Sequence, residues 1–412
     1  MTVETPRTSF PKKNIKVLLL ENVSPTAHEI FGAEGFQVEA LKTALPAAEL
    51  AAKLADVHVL GIRSKTRLPD AVLAAGRRLL TVGCFCIGTN QVELGAANKR
   101  GIPVFNAPFS NTRSVAELMI SEIIALARQL GDRSREVHQG KWRKLATQSF
   151  EVRGKTLGIV GYGHIGRQLG VLAESLGLRV LFYDHLAKLP MGNNVAVGSL
   201  EELLARADFV SLHVPETPST LNMIGAHELS LMRKGSYLLN ASRGTVVVIE
   251  ALADALRSGH LAGAAVDVYP EEPEANVDTF TSALQGLPNV ILTPHVGGST
   301  SEAQEAIGRE VASALTKFVN SGATTGTVNF PQIEQPVVRG AHRILNVHRN
   351  VPGVLRDINR IVSDFNANIQ SQTLSTDAHI GYLIMDINVD VSDDVTRAIA
   401  ALETNIRTRI LY

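Results

Sequence analysis

Three side chains of this 412-residue sequence could share one chemistry although they stand far apart. Arg243, Glu272 and His295 each come just after an apolar run of strand character: Leu238–Ser242, Gly263–Val268 and Asn289–Pro294. In an open parallel sheet the carboxyl ends of the strands converge on one crevice, so the three can face a single cleft. A histidine titrates near neutrality and suits the removal of a hydroxyl proton. An arginine offers a planar two-donor fork for a carboxylate and can polarise a developing carbonyl. A glutamate can orient the base and stabilise its imidazolium. Together they fit the dehydrogenation of a 2-hydroxy acid. Singly each is ordinary: a lone His is usually a satisfied core or surface residue, a lone Arg a surface charge, and the Glu of P-E-E-P a loop acid.

A dinucleotide fingerprint nearby tips that balance. Thr156-Leu-Gly-Ile-Val-Gly-Tyr-Gly-His-Ile-Gly166 reads as a strand, a glycine turn and the start of a helix. Gly161 permits the tight turn, Gly163 lets backbone approach a pyrophosphate, and Gly166 lets helix and strand pack closely. The helix start presents free N–H groups to phosphate. Asp184 ends the next strand; its carboxylate can accept from both ribose hydroxyls and would repel a 2′-phosphate, which favours NAD over NADP.

The elements that must position these residues are legible as alternation. Ile15–Leu20, Val57–Ile62 and Leu79–Val82 read as strands, with helices at His28–Glu34, Ala47–Ala55 and Pro69–Ala75. A helix follows at Ser114–Arg128. Six further strands are expected at Thr156–Val160, Arg179–Tyr183, Phe209–Leu212, Tyr237–Asn240, Gly263–Val268 and Val290–Leu292, then a helix at Ser301–Asn320. Such alternation implies α/β architecture: two doubly wound, Rossmann-like parallel sheets. Gly, Thr and Pro accumulate over 321–341, which reads as a linker. The rest orders as β-α-β-β-α-β, with strands at Ile344–His348, Asn368–Leu374, Ile380–Val389 and Ile406–Leu411 and helices at Gly353–Phe365 and Ser392–Thr404. That order is a ferredoxin-like sandwich.

Composition excludes several classes of function. Forty Lys and Arg balance 40 Asp and Glu, so nothing draws the chain to nucleic acid or an anionic membrane. No apolar run reaches the roughly 20 residues of a membrane span, and Met1–Lys13 is polar; the cytosol is the expected location. Cys84 and Cys86 match neither a redox nor a zinc spacing and read as inert thiols. No metal is expected.

The motifs resemble those of the D-isomer-specific 2-hydroxyacid dehydrogenases: G-Y-G-H-I-G, N-A-S-R-G-T-V-V at Asn240–Val247, D-V-Y-P-E-E-P at Asp267–Pro273 and L-T-P-H-V-G-G-S-T at Leu292–Thr300. G-C-F-C-I-G-T-N-Q-V at Gly83–Val92, N-A-P-F-S-N-T-R-S-V-A-E at Asn106–Glu117 and the C-terminal unit narrow the likeness to short bacterial members that oxidise D-3-phosphoglycerate. The resemblance implies Arg243, Glu272 and His295 as catalytic residues. It implies NAD contacts at Gly161, Gly163, His164, Ile165, Gly166, Asp184, Ala241, Ser242, Arg243, Asp267, His295, Val296, Gly297 and Gly298. It implies a discontinuous substrate-binding domain (1–110 and 298–336), an NAD-binding domain (111–297) and a regulatory domain (337–412). Relatives commonly carry an acid after T-V-V, where this chain has Val248.

Arg63 and Ser64 follow a strand end and suit a substrate phosphate, with Asn111 adding an amide. Lys144, beside Trp142, lies in a basic stretch that in similar enzymes reaches a neighbouring subunit's cleft. The C-terminal unit resembles an ACT domain, an amino-acid-binding module that works in pairs. Its turn His348-Arg-Asn-Val-Pro-Gly-Val-Leu355 implies serine as effector, held by His348 and Asn350 of one subunit and Asn368 of another. A homotetramer inhibited by serine is implied, with 2-oxoglutarate as a possible second substrate. Two other readings stay open: a glycerate, lactate or formate dehydrogenase of the same fold, and an NAD-sensing corepressor.

Overall fold

Short apolar runs with both faces covered form parallel strands here, and the computed structural model describes them within residues 11–273, 277–338, 340–387 and 392–411. Met1–Phe10 of the polar start and the Asn388–Val389 end of one expected strand lie outside the described residues. The chain divides into two compact units, Asn111–Ala303 and the pair Met1–Ser110 with Gln304–Tyr412.

The paired unit holds two sheets. Strands β1 (Lys16–Leu19), β2 (Gln37–Ala40), β3 (Val59–Ile62), β4 (Thr81–Cys84) and β5 (Val104–Phe105) lie in the order β2-β1-β3-β4-β5. Every pairing is parallel. β3 and β4 are buried throughout, as strands covered on both faces must be. The helix Ser301–Ser321 packs Ile307, Val311, Leu315 and Phe318 into the core that holds Val17 and Phe31. Gly83 makes room for it: a Cβ there would lie 2.6 Å from both Leu315 and Val311.

The second sheet of this unit is antiparallel. β13 (His342–Arg349), β14 (Ile369–Thr376), β15 (Ile380–Ile387) and β16 (Asn405–Leu411) lie in the order β14-β15-β13-β16. One face carries the helices Val354–Asp364 and Ser392–Ala400, with Ile344, Leu383 and Met385 against Ile358, Val362, Val395 and Ile399. The other face sends Leu345, Val347, Tyr382 and Ile384 into one cluster with Phe105, Phe318 and Phe330 of the first sheet's core.

The segment whose composition suggests a loose linker is therefore packed. Phe330, Ile333 and Thr324 are buried, and Val328 N–H donates to the Val104 carbonyl at 2.9 Å. Arg343 clasps it from the second sheet. Its guanidinium meets Asp386 twice, at 2.7 and 2.8 Å, and donates to the carbonyls of Ser321, Gln335 and Pro336. Gly, Thr and Pro mark the loss of helix here, not the loss of order.

The unit Asn111–Ala303 is one parallel sheet of seven strands. β6 (Thr156–Val160), β7 (Arg179–Tyr183), β8 (Val195–Ala196), β9 (Phe209–Leu212), β10 (Ser236–Asn240), β11 (Leu261–Val266) and β12 (Val290–Leu292) lie in the order β12-β11-β10-β9-β6-β7-β8. The seventh strand, β8, is a two-residue exposed edge too short to leave a pattern. Thr112–Arg128 and His164–Ser175 cover one face, and Leu200–Arg206, Ala226–Leu231 and Ile249–Arg257 the other. Val248 occupies the N-cap of that last helix without a capping side-chain bond.

Candidate active site

β10, β11 and β12 are neighbours in the sheet, so the loops after their carboxyl ends emerge side by side. Those loops carry Arg243, Glu272 and His295. The structure brings two of them into contact: Nδ1 of His295 lies 2.8 Å from Oε2 of Glu272. The other carboxylate oxygen of Glu272 accepts from the Tyr269 N–H at 3.1 Å. The hydrogen bond that His295 donates to Glu272, against the opposing pull of burial, raises the His295 pKa above its usual value, with the charges of Glu272 and Asp267 adding to it. Burial pushes Glu272 up, but the His295 bond and charge, the Tyr269 N–H and the Arg243 charge together hold it below the usual range. Arg243 acts on both partners through its charge, and its Nη1 donates to the Ser242 carbonyl at 2.6 Å.

A staple behind the pair fixes its geometry. His295 adopts a left-handed backbone, φ 55°, a conformation uncommon outside glycine and held only by its surroundings. Asp267, buried, supplies them. Its Oδ1 accepts from the Thr293 hydroxyl at 2.6 Å and the Val296 N–H at 2.8 Å, and its Oδ2 from the Gly297 N–H at 2.8 Å. Its backbone carbonyl takes the His295 N–H. The Arg243 loop is fixed in the same manner. Buried Asn240 accepts from Ser242 N–H and Oγ at 3.1 and 2.8 Å and donates to the Arg243 carbonyl at 3.0 Å. Gly244 lets the two loops touch, since a Cβ there would lie 1.9 Å from the Tyr269 carbonyl carbon. Behind Asp267, Glu122 is buried without a hydrogen-bond partner for either oxygen among the described residues. Burial and the Asp267 charge push its pKa up to about 8.

The dinucleotide turn follows β6 in the same sheet. Gly161 has φ 91° and no room for a side chain, the His213 carbonyl lying 2.4 Å from where a Cβ would be. Gly166 meets the Gly161 carbonyl equally closely, whereas Gly163 is exposed with open space beside it. His164 and Ile165 open the helix His164–Ser175. An open backbone at Gly163 before a helix start fits a pyrophosphate. Asp184, after β7, holds the turn in place: its Oδ2 accepts from the Tyr162 N–H at 2.9 Å and its Oδ1 from Leu186 N–H at 3.0 Å. Ala241 and Ser242 lie in the Arg243 loop, and Val296, Gly297 and Gly298 in the turn after His295. Asn111 packs against Gly298, where a Cβ would come 2.6 Å from its Nδ2.

The residues expected to read a phosphate are placed in two regions. In the paired unit, the loop after β3 is gathered by Glu21, whose carboxylate takes the N–H groups of Arg63, Lys65 and Thr66 at 3.2, 2.9 and 2.8 Å. Ser64 is exposed, and the Arg63 guanidinium has no ion pair among the described residues. In the other unit Lys144 and Trp142 stand in a fully exposed segment, Trp142 at 84%.

In the C-terminal sheet His348 is buried, its Nδ1 2.8 Å from the Asn346 amide oxygen, and burial lowers its pKa. Asn350 donates to the Asp377 carbonyl at 2.7 Å. Gly353, φ 94°, caps the helix Val354–Asp364. Asn368 directly precedes β14. Sequence reasoning missed Glu21, Asn240, Thr293 and Glu122. The only signal they left is a polar residue closing or interrupting an apolar run.

Comparison with known proteins matches this arrangement. Residues 120–297 match the model of the D-isomer specific 2-hydroxyacid dehydrogenase NAD binding domain, and residues 344–407 that of an AHAS small subunit-like ACT domain. A D-3-phosphoglycerate dehydrogenase of Dictyostelium discoideum is 57% identical over 407 residues, covering 99% of this chain and 100% of the relative. The chain belongs to the D-3-phosphoglycerate dehydrogenases of the D-isomer specific 2-hydroxyacid dehydrogenase family. The Escherichia coli K12 member is 53% identical, with 98% and 100% covered. Among solved structures, a D-lactate dehydrogenase from Aquifex aeolicus complexed with NAD and lactic acid has a TM-score of 0.66 at 27% identity, covering 77% of this chain and 100% of that one. As a family member the chain is an NAD-dependent D-2-hydroxyacid dehydrogenase. Among the described residues no helix is long and apolar enough to cross a membrane, and none group as a metal site.

Proposed function

We propose that this chain oxidises D-3-phosphoglycerate to 3-phosphohydroxypyruvate in the first step of serine synthesis, in the cytosol and as a homotetramer. The observation that carries the reading is the His295–Glu272 pair at 2.8 Å on a turn stapled by Asp267, at the carboxyl end of the same parallel sheet whose β6 leads into the Gly161–Gly166 turn. NAD supplies the hydride acceptor. Neutral His295 takes the C2 hydroxyl proton through Nε2, because Nδ1 faces Glu272. Glu272 stabilises the imidazolium that forms. Arg243 holds the substrate carboxylate and favours the developing carbonyl. Asp184 reads the adenosine ribose, and His164, Ile165, Ala241, Ser242, Val296, Gly297 and Gly298 border the cofactor. Arg63 and Ser64 take the phosphate, with Asn111 and Lys144 adding donors.

Serine, in this reading, binds between two C-terminal sheets on His348, Asn350 and Asn368 and inhibits turnover. A side reduction of 2-oxoglutarate to 2-hydroxyglutarate fits the same two cationic positions. The test is a substrate panel followed by NADH absorbance, with and without serine. Arg63→Ala should raise KM for 3-phosphoglycerate far more than for D-lactate or D-glycerate. Equal effects on both would remove Arg63 from phosphate recognition, and no turnover of 3-phosphoglycerate by the wild type would overturn the whole reading. Asp184→Ala should relax the exclusion of NADP.

A further inference from the structure

A cavity of about 490 Å³ opens beside the outer strand β16. That volume lies within the range of small-molecule sites, roughly 300–1,000 Å³. Lys12, His58, Arg78 and Arg409 line it, and among the described residues no acid does. The remaining wall is largely aliphatic, with Ile15, Leu80 and Val319 among its members.

The four basic groups are not equivalent. Lys12 pairs with Glu34, and Arg78 meets Asp56 at 2.7 Å. Arg409 has no carboxylate partner among the described residues. Its Nη2 donates to the carbonyls of Phe318 and Val319 at 3.0 and 3.1 Å, and its guanidinium lies 5.2 Å from the centre of the Phe318 ring. Those bonds cap the carboxyl end of the helix Ser301–Ser321, a structural role in its own right. They engage one nitrogen of three. Next to it on the same strand, Arg407 also lacks a carboxylate and donates to the Leu79 carbonyl. Arg409 is partly buried, a desolvated charge without a counter-charge costs free energy, and burial pulls its pKa down to about 10. Thr396, on the helix Ser392–Ala400, adds a wall hydroxyl with no hydrogen-bond partner among the described residues.

We propose that this cavity is an effector site for an organic monocarboxylate with an apolar tail, its head on Arg409 and its tail against Ile15, Leu80 and Val319. A guanidinium with spare donors matches a carboxylate in a two-donor geometry. A phosphate dianion needs several unpaired cations on one wall; Lys12 and Arg78 are already paired, and Arg407, bonded to the Leu79 carbonyl, lies outside this lining. The site differs from the serine turn. The register sets His348 opposite Asn405 but Arg343 opposite Leu411, so the Thr408–Leu411 end of β16 is the far end of the strand. Because its walls come from the residues leading into β1, β3 and β4, from the helices Ser301–Ser321 and Ser392–Ala400 and from β16, an occupant ties the two sheets of this unit together.

The experiment titrates the full-length protein with butyrate, hexanoate and octanoate by calorimetry, with inorganic phosphate as the head-group control. Affinity should rise roughly fourfold per added methylene, and phosphate should not bind. Arg409→Gln should weaken octanoate at least about tenfold, the scale of a charged hydrogen bond. Thr396→Leu, which keeps Arg409 and fills the wall, should weaken it too while leaving turnover unchanged. Serine should not displace octanoate. The proposal is overturned if no carboxylate binds the wild type, if both variants bind octanoate as the wild type does, or if phosphate binds in its place.

Discussion

His295 stands half-exposed on a left-handed turn with a carboxylate 2.8 Å from its Nδ1. His348 is buried in a strand with a neutral amide oxygen at the same distance from the same atom. The first partner raises the proton affinity of the ring; around the second, burial lowers it. One imidazole is thus held by a carboxylate that favours its protonated form, and the other by an amide in surroundings that favour its neutral form. The difference lies in the neighbour and not in the histidine, which is why residue type alone never identifies a base.

Four substitutions probe that contrast. The largest effect is expected from His295→Ala, which should lower turnover at least about 100-fold, the usual scale of a lost general base, while calorimetry still shows NAD binding. Wild-type turnover in a folded variant would remove His295 from the mechanism. Glu272→Gln comes next and carries a sign. Oxidation needs the neutral ring, so its rate climbs as pH rises through the raised His295 pKa; the reverse reduction needs the imidazolium and falls over the same window. Removing the carboxylate should shift both limbs to lower pH, because the partner that raises the ring's pKa is gone. An unmoved profile would mean that Glu272 does not set this pKa.

Asp267→Asn should act more moderately, since an amide cannot accept from Thr293, Val296 and Gly297 together. NAD affinity and turnover should fall jointly, with a lower Tm; a loss of Tm alone would make the staple purely structural. The smallest effect belongs to the other histidine. A Cβ on Gly381 would lie 2.2 Å from His348 Nε2, so Gly381→Ala should displace the ring and weaken serine inhibition severalfold with turnover unchanged. Equal inhibition of variant and wild type would exclude His348 from the effector site. Point variants serve here better than truncation, because removing the C-terminal sheet would uncover Phe105, Phe318 and Phe330.

Much of this was legible where one stretch of sequence contains the whole cause. β6, β7, β9 and β12 coincide with their apolar runs, and the glycine turn and Asp184 announce themselves by spacing. β2 was not legible: Q-V-E-A is a largely exposed edge strand recruited by β1. Nor was the order of 321–336, which depends on Arg343 and Asp386 in a later sheet. The three candidate side chains could be named from motifs, but Asp267, Asn240 and Glu21 hold loops through backbone N–H groups whose identity no side chain advertises. What the sequence withheld is the set of partners brought together from afar.

The shared cluster around Phe318 has a consequence for synthesis. Val17 and Phe31 leave the ribosome early, yet their core is completed by Ile307, Val311 and Leu315 and then by Leu345 and Tyr382. Asn111–Ala303 can close while the chain is still growing, because everything its sheet needs lies within it. At about 5–20 residues per second, the first sheet waits on the order of tens of seconds with its apolar face uncovered. The earliest part of the protein to be made is therefore the last to be finished, and the interval in which it needs protection from its neighbours is set by the length of the domain inserted within it.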